Sequence, residues 1–352
     1  MPEKYTPKTP GEKVSGRGRK DRYRRPGLSP RSTPVTEKLK HFLKMAFALL
    51  SVLAVLAGAA GGAGQPEPPF FLMGSGNLHL KNLRNNEEAR VSLLNADGSL
   101  NDGAFAEVDR VFGYPTAPMG DHISPRLLFM LSYFADRVAP GKQIIIESGY
   151  RSPEYNDQLR SRGGNVARTS THMDALALDF RIDGVDGKEL WEIVRAENCC
   201  GVGHYGGDTI HLDAARPRFW EAATSGTGSP EPDYNRHIYL STDFDRYPRR
   251  APIRLSLSGI STFGFGIVPQ ALLYDVRAPE EPAAVMPIAG DAGPDCRIIA
   301  DRKAARFLTA TLPDDLPAGR YLIKLRFCRQ PFEQMPPEAL TREIEIYRDA
   351  ID

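Results

Sequence analysis

The sequence predicts an α+β domain followed by a β-sandwich-like domain, and three observations carry that prediction. Between residues 70 and 222, helix and strand periodicities mix without a regular βαβ rhythm, which favours α+β over a doubly wound sheet. Near Thr224 the texture changes to "TSGTGSPEPD", a Gly/Pro/Ser/Thr linker that places a domain boundary at 223–233. From 234 to 352, short alternating runs are separated by turn residues, the pattern of two packed antiparallel sheets.

Taken in order, residues 1–44 hold 13 Lys/Arg against 4 Asp/Glu and are expected to be disordered. Met45 to Gly64, "MAFALLSVLAVLAGAAGGAG", carries no charge. A basic flank, a short apolar core and a small-residue tail describe an export signal, with a membrane anchor as the alternative. Either way the bulk of the protein is expected outside the cytoplasm, in the periplasm or envelope. It would touch a membrane only through 45–64, if that segment is retained.

From Phe70, "NLHLKNL" and "ARVSLLN" alternate as strands, and "GAFAEVDRVFG" reads as a short helix. "SPRLLFMLSYFADRVAPG" is a stronger helix, with Ser124 as N-cap, Pro125 at the first position and Gly141 past the end. "QIIIESGY" is a buried strand, and "SPEYNDQLRSRGG" repeats the Ser-Pro helix start. "ALALDFRID" is a strand, "GKELWEIVRAEN" a helix and "TIHLDAA" a further strand.

The formal net charge is only +1, so the chain beyond its basic leader is acidic, which excludes a nucleic-acid binder on charge. Of the four cysteines, Cys296 and Cys328 are expected to form a bridge in an oxidising compartment. Cys199 and Cys200 are neighbours, where a disulfide is strained, and read as small buried side chains.

The chemistry centres on Asp179, in the apolar run "ALALDFRI". A buried carboxylate is costly without a partner. Strand alternation turns Leu178 and Phe180 to one face and Asp179 to the other. His172 lies just upstream in a loop, and His211 shares a strand face with Asp213 in "TIHLD". If the two strands are neighbours, His172, Asp179 and His211 converge as the two imidazoles and one carboxylate of a catalytic zinc site. On spacing alone, satisfied structural histidines remain the open alternative.

"SGYRSPEYN", "STHMDALALDFR", "GVGHY" and "IHLDAARPRFW" follow one another in this order. Together they resemble the M15-type zinc peptidases, in the YcbK-like murein endopeptidase branch that carries a domain-of-unknown-function label. The resemblance covers about residues 75–222. It implies a small α+β domain with an antiparallel sheet, related to hedgehog and D-Ala-D-Ala peptidases. It also implies zinc (Zn2+) held by His172, Asp179 and His211. The M15 general base would fall on Asp208, with Asp213 as the competitor better suited to orienting His211. Arg151 matches the family arginine that faces substrate and steadies a developing oxyanion. Ser170 and Arg181 would brace the site, with Tyr150, His204 and Tyr205 lining the cleft. The implied activity is hydrolysis of peptide bonds in peptidoglycan cross-links or stem peptides. Its rivals are a non-catalytic cell-envelope binding or regulatory protein on the same fold, and a zinc amidase.

Overall fold

The computed structural model describes residues 67–348, apart from 165, 225–231 and 291–294. The basic leader, the 45–64 segment and most of the expected linker lie outside the described residues. Among the described residues, no helix is long and apolar enough to cross a membrane.

The first part begins with strands β1 (Asn77–Asn82) and β2 (Glu88–Ser92), paired as an antiparallel hairpin. Helices α1 (Asp102–Phe112), α2 (Thr116–Met119) and α3 (Pro125–Val138) follow, then β3 (Ile144–Ser148) and α4 (Pro153–Ser161). A 3-10 turn, Thr171–Asp174, leads into β4 (Ala177–Ile182). Helix α5 (Gly187–Ala196) and strands β5 (Gly201–His204), β6 (Ile210–Asp213) and β7 (Arg218–Glu221) complete this part. Helix starts fall where polar caps predict them. Ser124, Ser152 and Asp186 each accept a hydrogen bond from the amide three residues on, and proline follows each serine.

These seven strands form one sheet in the order β2-β1-β3-β4-β6-β5-β7. The expected antiparallel sheet is corrected here to a mixed one, because β1 pairs with β3, and β5 with β7, in parallel. The first parallel pair follows from connectivity. The helical segment between β2 and β3 is long enough for a crossover that returns the chain in the same direction. Strand parity sorts the two faces: Leu80, Ile146, Leu178, Phe180, Val202 and Leu212 join Phe129 and Trp191 in the helix-side core. The opposite face holds Ser148, Asp179 and His211.

The second part contains β8 (Tyr239–Thr242), β9 (Arg246–Pro248), β10 (Pro252–Ser258), β11 (Phe265–Asp275), β12 (Ala284–Pro287) and β13 (Arg297–Ile299). Helix α6 (Arg302–Arg306) then precedes β14 (Leu308–Thr311), β15 (Gly319–Arg329), β16 (Glu338–Leu340) and β17 (Ile344–Tyr347). The strands make two sheets, β14-β10-β8 and β12-β11-β15-β17-β9, with β13 added to β11 and β16 to β15. One core joins them, around Leu255, Phe265, Leu273, Tyr321, Leu325 and Ile346.

The two parts are packed together. Phe70 stacks between Phe129 and Phe244, with ring centroids 5.5 and 5.6 Å away, and Phe244 contributes to both cores. Buried Arg126 bonds the Thr242 carbonyl at 3.0 Å and pairs with Asp245 at 2.7 Å.

Cys296 and Cys328 are bridged, with Cα atoms 5.8 Å apart. The pair lies against Gly266 of β11, where an added Cβ would sit 2.5 Å from the Cys296 sulfur. Cys199 and Cys200 are also bridged, correcting the expectation of two unlinked thiols. Neighbouring Cα atoms, here 3.8 Å apart, lie below the usual disulfide range, which is why the sequence argued against this bond. The pair follows Asn198, whose left-handed backbone (φ 47°) turns the chain from α5 into β5.

Candidate metal centre

Register builds the site. Across the open face of the sheet, Ser148 pairs with Asp179, Asp179 with His211, His211 with Gly203, and Gly203 with Trp220. Directly paired residues project to the same face, so the five positions form one row. Gly203 is required in that row, since a Cβ there would meet the Trp220 ring at 2.3 Å. The bare backbone lets the indole lie beside His211, with ring centroids 5.0 Å apart.

His172 arrives from outside the sheet, on the 3-10 turn. Its backbone carbonyl accepts from the Arg151 amide at 3.3 Å, and its Nδ1 is 2.7 Å from the Gly149 carbonyl. The "SGYR" and "STH" segments therefore interlock, and the ring's other nitrogen points at the row. His172 Nε2 lies 3.2 Å from Asp179 Oδ1 and 3.3 Å from His211 Nδ1, and His211 Nδ1 lies 2.9 Å from the same oxygen. All three side chains are buried, and they form the one group among the described residues able to hold a metal ion.

The tautomers follow from the outer bonds. With Nδ1–H of His172 donated to a carbonyl, Nε2 keeps its lone pair. His211 Nε2 lies 2.8 Å from Asp213 Oδ2, which leaves Nδ1 as the inward-facing lone pair. A backbone carbonyl and a carboxylate behind two imidazoles are the supports that metal-binding histidines use.

Electrostatics separates the two rings. Burial pushes the His172 imidazole below its ordinary value, despite Asp179. Burial also acts on His211, but bonds to Asp179 and Asp213 outweigh it and hold that ring above its ordinary value. Burial alone would raise Asp179, yet the two histidines keep it well below the usual carboxylate range.

Arg151 is turned onto the cluster. Its Nη2 donates to Asp179 Oδ2 at 2.6 Å and its Nε to Ser148 Oγ at 2.9 Å, so Asp179 divides its oxygens between guanidinium and imidazoles. Asp213 is fully buried, takes two bonds from Arg218 at 3.0 and 2.5 Å, and is held far below its ordinary pKa against the cost of burial.

Asp208 is not brought into the cluster. It lies exposed in the β5–β6 turn, its backbone packed against Gly187 at the start of α5. His204 faces the helix side, near Trp191 (centroids 6.4 Å apart), and bonds the Gly207 carbonyl. Tyr205 lies edge-on to His211 at 6.5 Å, its hydroxyl pushed up by burial and by the Asp179 carboxylate. Tyr150 stacks edge-on with Tyr114, Ser170 is buried at the head of the 3-10 turn, and Arg181 pairs with Glu147 at 3.5 Å. Sequence reasoning missed Trp220 and Arg218. Both lie in the quoted "RPRFW", but β7 is four residues long and its pairing with β5 is not visible locally.

Residues 73–220 match the family described as "Peptidoglycan L,D-endopeptidase MepK". The protein of that name from Escherichia coli (strain K12) is 28% identical over 159 residues, which are 44% of this chain and 87% of the relative. The Shigella flexneri protein gives the same figures, 28% over 159 residues. A "Probable peptidoglycan L,D-endopeptidase MepK" from Haemophilus influenzae is 34% identical over 80 residues, 22% of this chain and 43% of the relative. The motif order, the cross-strand row and these matches agree in making residues 73–220 similar to the M15-type peptidase family.

Proposed function

We propose that this protein is a zinc-dependent peptidase that cleaves peptide bonds in peptidoglycan cross-links or stem peptides, and the relatives' description as peptidoglycan L,D-endopeptidases supports this. One observation carries the reading. Two ring nitrogens and a carboxylate oxygen face one another within 3.3 Å while the far nitrogen of each ring is already engaged. With His211 neutral, the three face one another as acceptors, an arrangement that a cation between them relieves. Donors bound tetrahedrally to zinc at about 2.0–2.1 Å lie about 3.3 Å apart, so the triangle fits that ion.

When bound, zinc supplies Lewis-acid polarisation of a peptide carbonyl and a lowered pKa for water. The chain supplies the rest. Gly149 and Asp213 fix the two imidazoles, and Arg151 balances Asp179 while bordering the place where oxyanion charge develops. Trp220 and Tyr205 wall the cleft beside His211. Asp208, three residues before His211 on the solvent-facing turn, would take a proton and pass it to the leaving amine. Asp213 is excluded from that task by its burial and its pairing with Arg218.

We read residues 234–348 as a β-sandwich-like accessory domain. Location outside the cytoplasm is supported by the two disulfides, which suit an oxidising space. Mass spectrometry of muropeptides incubated with the zinc-loaded full chain tests the function. Cleavage products absent with His172→Ala are expected, and intact muropeptides with the unmodified chain would refute it.

A further inference from the structure

Asp174 closes the turn that carries His172, and the C-terminal part of the chain grips it at three points. The Gly259 amide donates to Asp174 Oδ2 at 3.0 Å. Arg302, the first residue of α6, pairs with Oδ1 across a sequence separation of 128 residues. Arg306 Nη1 donates to the Asp174 backbone carbonyl at 3.3 Å. The carboxylate is nearly inaccessible (the residue is 5% exposed), and Arg302 is steadied over the Phe263 ring at 5.7 Å.

The turn needs such support. It is a single 3-10 turn of four residues, too short to hold its own shape in water. It exits through Ala175 at φ 57°, a left-handed backbone disfavoured for any residue with a Cβ. On its inner side His172 is anchored to Gly149. On its outer side the side-chain anchor is Asp174, bonded to Gly259 and Arg302.

We propose that the C-terminal β domain is a fixed part of the metal centre, with Arg302 a positioning residue that acts through Asp174 to place His172. This rests on reading His172 as a ligand. Removing Arg302 leaves a buried carboxylate without its cation. The turn relaxes to hydrate that carboxylate, and the imidazole two residues upstream leaves its place.

The test is the zinc affinity of the full chain, measured by competition with a chromophoric chelator, with folding checked by circular dichroism. Arg302→Ala should weaken zinc binding about tenfold or more, within the range of about 10–100-fold seen for outer supports of metal ligands. Arg302→Lys, which restores the charge, should recover most of that loss. Arg246→Ala is the control. It removes bonds to the Pro68 and Phe70 carbonyls at 3.0 and 3.2 Å, made across the same boundary at the segment before β1, and should leave affinity unchanged. Unaltered binding by Arg302→Ala overturns the proposal. So does equal weakening by Arg246→Ala, which would mean general undocking. Should Arg302→Ala fail to fold, Arg302→Gln, which keeps a donor for Asp174 but not the charge, must show weakening in the same direction. Failure of the unmodified chain to bind zinc would sink the metal-centre reading itself, and this proposal with it.

Discussion

Asp213→Asn changes one oxygen to an amide nitrogen, and the structure fixes what that costs. Oδ1 accepts from the Ala215 amide and Arg218 Nη1, both at 3.0 Å. Oδ2 accepts from Arg218 Nη2 at 2.5 Å and the Thr171 hydroxyl at 3.4 Å, and lies 2.8 Å from His211 Nε2. An asparagine has one acceptor oxygen, so in either orientation its NH2 faces donors. One choice orphans the Ala215 amide, and the other orphans the His211 ring.

A buried donor left unpaired costs about 1–3 kcal/mol. The lost charge partner of Arg218, whose side chain is 33% exposed, adds about 1 kcal/mol after solvent screening. Metal-free protein should therefore lose about 2–4 kcal/mol in urea unfolding. Zinc affinity should fall about 10–100-fold, because His211 loses the partner that fixes its tautomer. Chelator competition reads the second quantity. An affinity equal to that of the unmodified chain would refute the orienting role.

Three further outcomes are expected. Asp208→Asn should lower kcat about 100-fold or more, the lower end of general acid–base effects, with zinc affinity unchanged; an unchanged kcat in muropeptide turnover would remove Asp208 from the mechanism. Gly203→Ala should destabilise the fold by about 1–3 kcal/mol in thermal melts, because the new Cβ collides with the Trp220 ring. Below the raised His211 value, zinc binding should release protons, since His211 is held above its ordinary pKa while His172 lies below it. Affinity then rises with pH up to the raised His211 value and flattens beyond it, which calorimetry in buffers of different ionisation heat can count. By the same sign, the metal-free fold gains from His211 below the ordinary histidine pKa and loses that gain as pH climbs through the raised one.

The candidate metal cluster was legible because strand alternation is a local signal. An acid between Leu178 and Phe180 had to face away from the core, and the same parity put His211 beside Asp213 on its own strand. What escaped was non-local. The parallel pairs β1–β3 and β5–β7 depend on how the chain returns. The grip of Arg302 on Asp174 spans 128 residues and leaves no trace in either segment. Arg151 was expected to face substrate, and its bond from Nη2 to the Asp179 carboxylate was not anticipated. The bond between Cys199 and Cys200 was disfavoured on general geometry, and only the turn at Asn198 shows where it fits.

The β5–β6 hairpin separates two duties along its length. His211 and Asp213 stand in the laddered stem, where a slip of one residue would swing both into the oily interior. Asp208 stands at the unladdered tip, outside the paired stem, with its backbone against Gly187 of α5. If the proposed roles hold, ion retention is tied to strand pairing and the proton step is not.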